Sequence, residues 1–182
     1  MNEISKIVGG IIASAAMLFP NVVNAQQSYD FYTQTSGYWT INGQTGSADA
    51  NPACYIEYAW QDGSVFQLIK DLEDGELYIY FENITWNIVD EPGYYTMRMN
   101  IYYPDGKINA GNYNYYLIDK NSISIPQLDV KDFIPSFMQG SELRMIMPGD
   151  IENSELFLQG SSDAINIMSD CISKSDQVQL NY

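Results

Sequence analysis

The chain has 182 residues, with 23 acidic against 8 basic side chains, no histidine and a formal net charge of −15. So acidic a surface repels phosphate backbones and anionic lipid headgroups, because counterion release needs Lys and Arg, and this argues against nucleic-acid binding. The absence of histidine removes Ser-His-Asp and Cys-His catalysis and the usual zinc sites, while 46% hydrophobic and 14% aromatic residues support a packed core rather than disorder.

In chain order, Met1–Ala25 reads as a secretory signal peptide. Lys6 marks the n-region, Ile7 to Phe19 form the apolar run, Pro20 breaks it, and Val23-Asn24-Ala25 supplies the small-x-small pattern before Gln26. The run is too short to span a bilayer, and no later stretch approaches the ~20 apolar residues a membrane helix needs. No membrane span is therefore expected after cleavage, and the protein is expected in the periplasm or secreted. Residues 26–51, rich in Gln, Ser, Thr, Gly and Asn, are expected as a lead-in segment with one short strand around Tyr38 to Ile41. Residues 52–182 are expected to form a single β-rich domain.

From Cys54 the pattern has a period of two. Cys54, Ile56, Tyr58 and Trp60 share one face, with Tyr55, Glu57 and Ala59 on the other. Asp62-Gly63 marks a hairpin turn into Val65 to Lys70, and Asp74-Gly75 a second turn into Leu77, Ile79 and Phe81, which alternate with Tyr78, Tyr80 and Glu82. After Pro92-Gly93, Tyr95, Met97, Met99, Ile101 and Tyr103 lie opposite Thr96, Arg98, Asn100 and Tyr102. Pro104-Asp105-Gly106 turns the chain into the Tyr-rich stretch Tyr113 to Ile118, and Asn121 to Ile125 reads as a further short strand. Leu143, Met145 and Met147, then Glu155 to Leu158, give two more. Turn signals between short alternating strands predict a mainly β fold: an antiparallel β-sandwich, or a flattened barrel, with two short helices.

The first helix is marked by Val130, Phe133, Ile134, Phe137 and Met138 at helical spacing, with Asp129 as its N-cap, Gly140 at its end and Pro135 limiting its length. The second runs from Ser161 to Ser173, with Ser161 or Ser162 as N-cap. Its apolar face, Ala164, Ile165, Met168, Cys171 and Ile172, predicts packing on the sheet. The two cysteines, Cys54 and Cys171, both fall on apolar faces of an exported chain and are expected to form one disulfide.

Chemistry is sparse. Glu57, Asp71, Glu73, Asp74, Glu76 and Glu82 cluster around one hairpin, and paired carboxylates are what a small carbohydrate-active hydrolase would need. Asp62, Asp74 and Asp105 precede Gly and are explained as turn formers. The segment Asp71 to Glu76 lacks the order of an EF-hand loop, and no metal site is assigned. Asn83-Ile84-Thr85 matches the glycosylation sequon by chance in a chain with a bacterial-looking signal. Among the 15 tyrosines, Tyr78, Tyr80, Tyr94, Tyr102, Tyr113, Tyr115 and Tyr116 could present an aromatic face. Of these, Tyr78, Tyr80, Tyr94 and Tyr102 fall opposite apolar sets and are expected to share an exposed binding surface. The ending Val178-x-Leu180-x-Tyr182 alternates like the last strand of an eight-stranded outer-membrane barrel, which is the third reading.

The stretch from Cys54 to Cys171 resembles a loosely defined group of small bacterial periplasmic proteins. It carries an early Cys in a strand, the Asp62-Gly63 hairpin, and a helix Phe133 to Gly140 followed by Leu143. It then closes with Leu156-Phe157-Leu158-Gln159-Gly160-Ser161-Ser162-Asp163-Ala164 leading to Cys171. That ending is similar to proteins of the invasion-associated locus B type. The resemblance implies a periplasmic β-sandwich without enzymatic activity. The expectation is a non-enzymatic binding or interaction protein of the bacterial cell envelope, with no cofactor and with a protein or glycan of the envelope as partner.

Overall fold

The computed structural model describes residues 28–47, 50–88, 91, 93–149 and 153–179. The expected signal peptide and the last three residues lie outside them. Ten strands and two helices follow in the order β1 (Asp30–Ser36), β2 (Trp39–Gln44), β3 (Ala53–Ala59), β4 (Val65–Asp71), β5 (Leu77–Glu82), β6 (Tyr94–Tyr102), β7 (Ile108–Leu117), β8 (Ser122–Ile125), α1 (Val130–Gln139), β9 (Glu142–Ile146), β10 (Ser154–Phe157) and α2 (Ser161–Gln179). The fold is mainly β and antiparallel with two helices, the C-terminal one contacting β1, β2 and β3. All ten strands join one continuous sheet in the order β1-β2-β3-β4-β5-β8-β7-β6-β9-β10.

That sheet is rolled. β5 and β10 are five places apart, which in a flat sheet would separate them by about 24 Å. Yet Asn83, just after β5, donates from Nδ2 to Ser154 Oγ at the start of β10 across 3.0 Å. Likewise the indole of Trp39 in β2 donates to the Gln159 carbonyl just beyond β10 at 2.9 Å. The concave side holds one apolar cluster that both helices enter. Phe137 of α1 meets Trp39 edge-on at 5.7 Å and stacks on Phe66 at 5.9 Å. Edge-to-face and offset stacks of this kind add to the burial of large rings.

The alternations read from the sequence sort the strands as expected: Ile56, Leu68, Ile79, Phe81, Met97, Met99 and Ile101 are buried inside, and their neighbours point out. Asp129 caps α1 by accepting from the Lys131 amide, and the Gly140 amide closes its end on the Ser136 carbonyl. Cys54 and Cys171 form the disulfide, with Cα atoms 6.1 Å apart. Gly43 makes room for it, since a Cβ there would lie 2.6 Å from Cys171 Sγ and 2.7 Å from the Phe31 ring.

Four expectations need correction. The lead-in, residues 26–51, holds two strands of the sheet rather than one, and its Trp39 and Ile41 are core residues. The expected strand is β2; the polar composition hid β1, an edge strand with a largely solvent-exposed pattern. Ser161 does not cap α2; its hydroxyl donates to the Phe137 carbonyl, tying the two helices together, and Gly160 precedes the helix at φ +83°. α2 also continues to Gln179, so Val178 is helical and not in a closing strand. With ten strands, apolar inside and polar outside, the sheet inverts the pattern of an eight-stranded outer-membrane barrel.

Candidate functional site

The outer face of the sheet is built by the residues between the core positions. One cross-strand row runs Glu57, Gln67, Tyr80, Ser124, Tyr116 and Tyr94 over β3, β4, β5, β8, β7 and β6. The rings of Tyr94 and Tyr116 meet edge-on at 5.2 Å, and Tyr94 is 64% exposed. Tyr78 stands on the same face in β5, opposite Ile69. Tyr102 shares the face too, but it sits eight residues along β6 from Tyr94, roughly 27 Å away. The four tyrosines singled out from the sequence are therefore coplanar without forming one patch. Tyr113 and Tyr115 belong to the inner set instead; Tyr115 is fully buried and stacks on Tyr95 at 5.7 Å.

Burial, reinforced by nearby carboxylates, pushes the phenols of Tyr55, Tyr78 and Tyr80 up to about 12. They remain protonated donors at any physiological pH. The Tyr80 hydroxyl donates to Glu82 at 3.0 Å.

Asp71 and Asp74 of the β4–β5 region and Glu57 of β3 are committed to local bonds. Asp71 accepts from the amides of Glu73 and Asp74 at 2.8 and 3.1 Å and from Asn51 Nδ2 at 2.8 Å. Asp74 accepts from the Glu76 amide at 2.7 Å, and Glu57 from Gln67 Nε2 at 2.7 Å. These are turn and strand contacts, and among the described residues no group of three or more His, Cys, Asp or Glu is placed to hold a metal ion. A groove of about 630 Å³ opens elsewhere, between the β6–β7 turn and the end of α1. Asp105, its one carboxylate, pairs with Lys107 at 2.6 Å. The Asn83 amide of the sequon is engaged by Ser154, while its Oδ1 accepts from Thr85.

A feature missed in the sequence lies beside the tyrosine row. In a chain with 23 carboxylates, β6, β7 and β8 carry none. Their outward positions are Tyr94, Thr96, Arg98, Asn100 and Tyr102 on β6 and Ile108, Ala110, Asn112, Asn114 and Tyr116 on β7, while Ser122 and Ser124 on β8 share the face but are buried. Thr96 Oγ1 donates to Asn114 Oδ1 at 3.0 Å. Arg98 donates from Nε to Asn100 Oδ1 at 3.0 Å, and Asn100, only 7% exposed, reaches the Tyr102 hydroxyl at 3.5 Å. The other arginine of the chain, Arg144 on β9, lies over the Tyr102 ring at 4.8 Å and is neutralised by Glu142 and by Glu155. Among the described residues no carboxylate forms an ion pair with Arg98. The signal was readable: between Glu91 and Asp119 the sequence has one acid, Asp105, and it lies in the turn.

Comparison with protein-family models, with curated proteins and with solved structures finds no match to this chain. Among the described residues no helix is long and apolar enough to cross a membrane. A disulfide of this kind persists in an oxidising compartment.

Proposed function

We propose that this is a non-enzymatic binding protein of the bacterial cell envelope, exported to the periplasm or secreted, that engages a glycan or protein through the outer face of β6, β7 and β8. The observation that carries the reading is the composition of that face: tyrosine rings, amides and the Thr96 hydroxyl on β6 and β7, Arg98 as its one charge, and no carboxylate, in a chain of net charge −15. Depletion of charge together with aromatic enrichment is what distinguishes the core of an interface from ordinary surface. The signal-like leader and the Cys54–Cys171 bond support export.

The test compares the wild-type protein with Tyr94→Ala and Tyr116→Ala in equilibrium binding to purified envelope glycans and to isolated envelope proteins. Tyr38→Ala serves as control, because Tyr38 is 69% exposed but lies in the β1–β2 turn. Truncating a ring that makes interface contacts costs about 1 kcal/mol or more, so roughly a fivefold or greater loss is expected for the two face variants and none for the control. Equal binding by all four proteins would remove this face as the site.

A further inference from the structure

Resting on the reading of the β6–β7–β8 face as the binding site, we propose that its ligand is a carboxylate-bearing oligosaccharide, and that Arg98 is the residue that selects the charged form. Tyr94 and Tyr102 mark the two ends of the outer side of β6, and Arg98 sits midway between them. Along β7 the same track is edged by Tyr116, Asn114 and Asn112, with Arg98 directly opposite Asn112.

Three observations select the ligand class. First, β6 from Arg98 to Tyr102 is paired on one side with β7 and on the other with β9. Its backbone groups are occupied there, so a peptide cannot add as a strand beside Arg98, and recognition at that residue falls to side chains. Second, those side chains are rings, amides and a hydroxyl. Ring faces take the C–H face of a sugar, and exposed Asn112 and Asn114 can bond its hydroxyls. Third, the one charge on the track is a guanidinium with no acidic partner among the described residues, held from behind by Asn100 through Nε. Its two terminal amines are left as a fork, the shape that matches a planar carboxylate with two parallel bonds. A single arginine within a strongly acidic molecule suits a monoanion better than a phosphate dianion. β6, β7 and β8 carry no Asp or Glu, and Glu142, which stands opposite Tyr102 on β9, is paired with Arg144.

The experiment titrates the intact, oxidised protein with a neutral oligosaccharide carrying a single terminal galacturonate, with the same oligomer methyl-esterified and therefore uncharged, with a sulfated oligosaccharide, and with polyglutamate. The proposal expects the galacturonate-bearing oligosaccharide to bind about tenfold or more tighter than its ester, since hydrogen bonds to charged groups are the strong ones. Arg98→Gln should abolish that preference while leaving binding of the ester unchanged, and Arg98→Lys should restore part of it. Circular dichroism checks that each variant is folded. Equal affinity for acid and ester, with both weakened by Tyr94→Ala, would overturn the carboxylate proposal and leave the binding face standing. Tighter binding of the sulfated sugar or of polyglutamate would overturn it in favour of those chemistries. If no probe binds and the Tyr94 variant behaves as wild type toward every envelope fraction, the underlying reading falls as well.

Discussion

Replacing Cys171 with Ala removes the bond that fastens α2 to β3 and thereby to the rest of the sheet. The bridged residues are 117 apart in sequence, and the chain-entropy relation for a loop of that length gives about 5 kcal/mol at 25 °C. Residual order in the unfolded chain lowers the figure, so the expected loss is about 3–5 kcal/mol. Both cysteines are fully buried, and the small void left by Ala adds about 1 kcal/mol. For a domain whose whole stability is of order 5–15 kcal/mol, this is a large fraction. Urea unfolding followed by tryptophan fluorescence would compare wild type, Cys54→Ala, Cys171→Ala and the double variant. All three variants should have similar midpoints well below wild type, because the crosslink is lost once in each and the second substitution adds only its own small void. Their m-values should rise as the unfolded chain expands. A double variant that loses the sum of the two single losses would refute the reasoning, since the crosslink would then not be the shared source of stability.

Gly43→Ala should destabilise by about 1–3 kcal/mol, because its Cβ must displace both Cys171 Sγ and the Phe31 ring; thermal unfolding measures this, and an unchanged midpoint would mean that α2 does not press on β2 as described. The phenols of Tyr55, Tyr78 and Tyr80 are pushed up to about 12, first by burial and then by nearby acids. Their folded values exceed the unfolded value near 10, so the folded chain holds more protons over that interval. The stability they contribute is complete below pH ~10 and is lost as the pH rises from about 10 to 12. Phenolate absorbance recorded with circular dichroism should show these tyrosines ionising late, together with unfolding; ordinary titration in an intact fold would contradict the burial.

Strand faces and α1 were legible because each depends on local chemistry. Alternation put Met97, Met99 and Ile101 inside, and Asp129 caps α1 as the capping rule requires, whereas Gly140 ends it in an extended conformation where a Cβ would collide with Ile101. What could not be read was long-range. Nothing local in β1 says that it is the edge of a sheet whose far end returns to meet Trp39 through Gln159. In Tyr113 to Leu117 a run of aromatics on both parities leaves the register ambiguous, and only pairing with β6 sends Tyr115 inward and Tyr116 outward. The Ser161 hydroxyl has the sequence setting of a local cap, but its acceptor lies 24 residues away on α1.

The acid-free strands invite a purely structural explanation, that like charges opposed across a sheet repel. The other half of the same face argues against it. Glu57 and Glu82 stand outward on β3 and β5, each taking a hydrogen bond from a neighbouring Gln67 or Tyr80. The sheet thus tolerates carboxylates where a donor stands beside them, and Arg98 on β6 would be such a donor. Asn112→Glu separates the two explanations. Position 112 is exposed and directly opposite Arg98, so the new carboxylate can form a cross-strand pair that stabilises by about 0.2–1 kcal/mol. The variant should therefore unfold at or slightly above the wild-type midpoint. It should also lose affinity for the envelope ligand, because the introduced carboxylate occupies the guanidinium fork and brings a negative charge to the track. A clear drop in the midpoint would show that charge is kept off these strands for the sake of the fold. An unchanged midpoint with undiminished binding would place the site elsewhere.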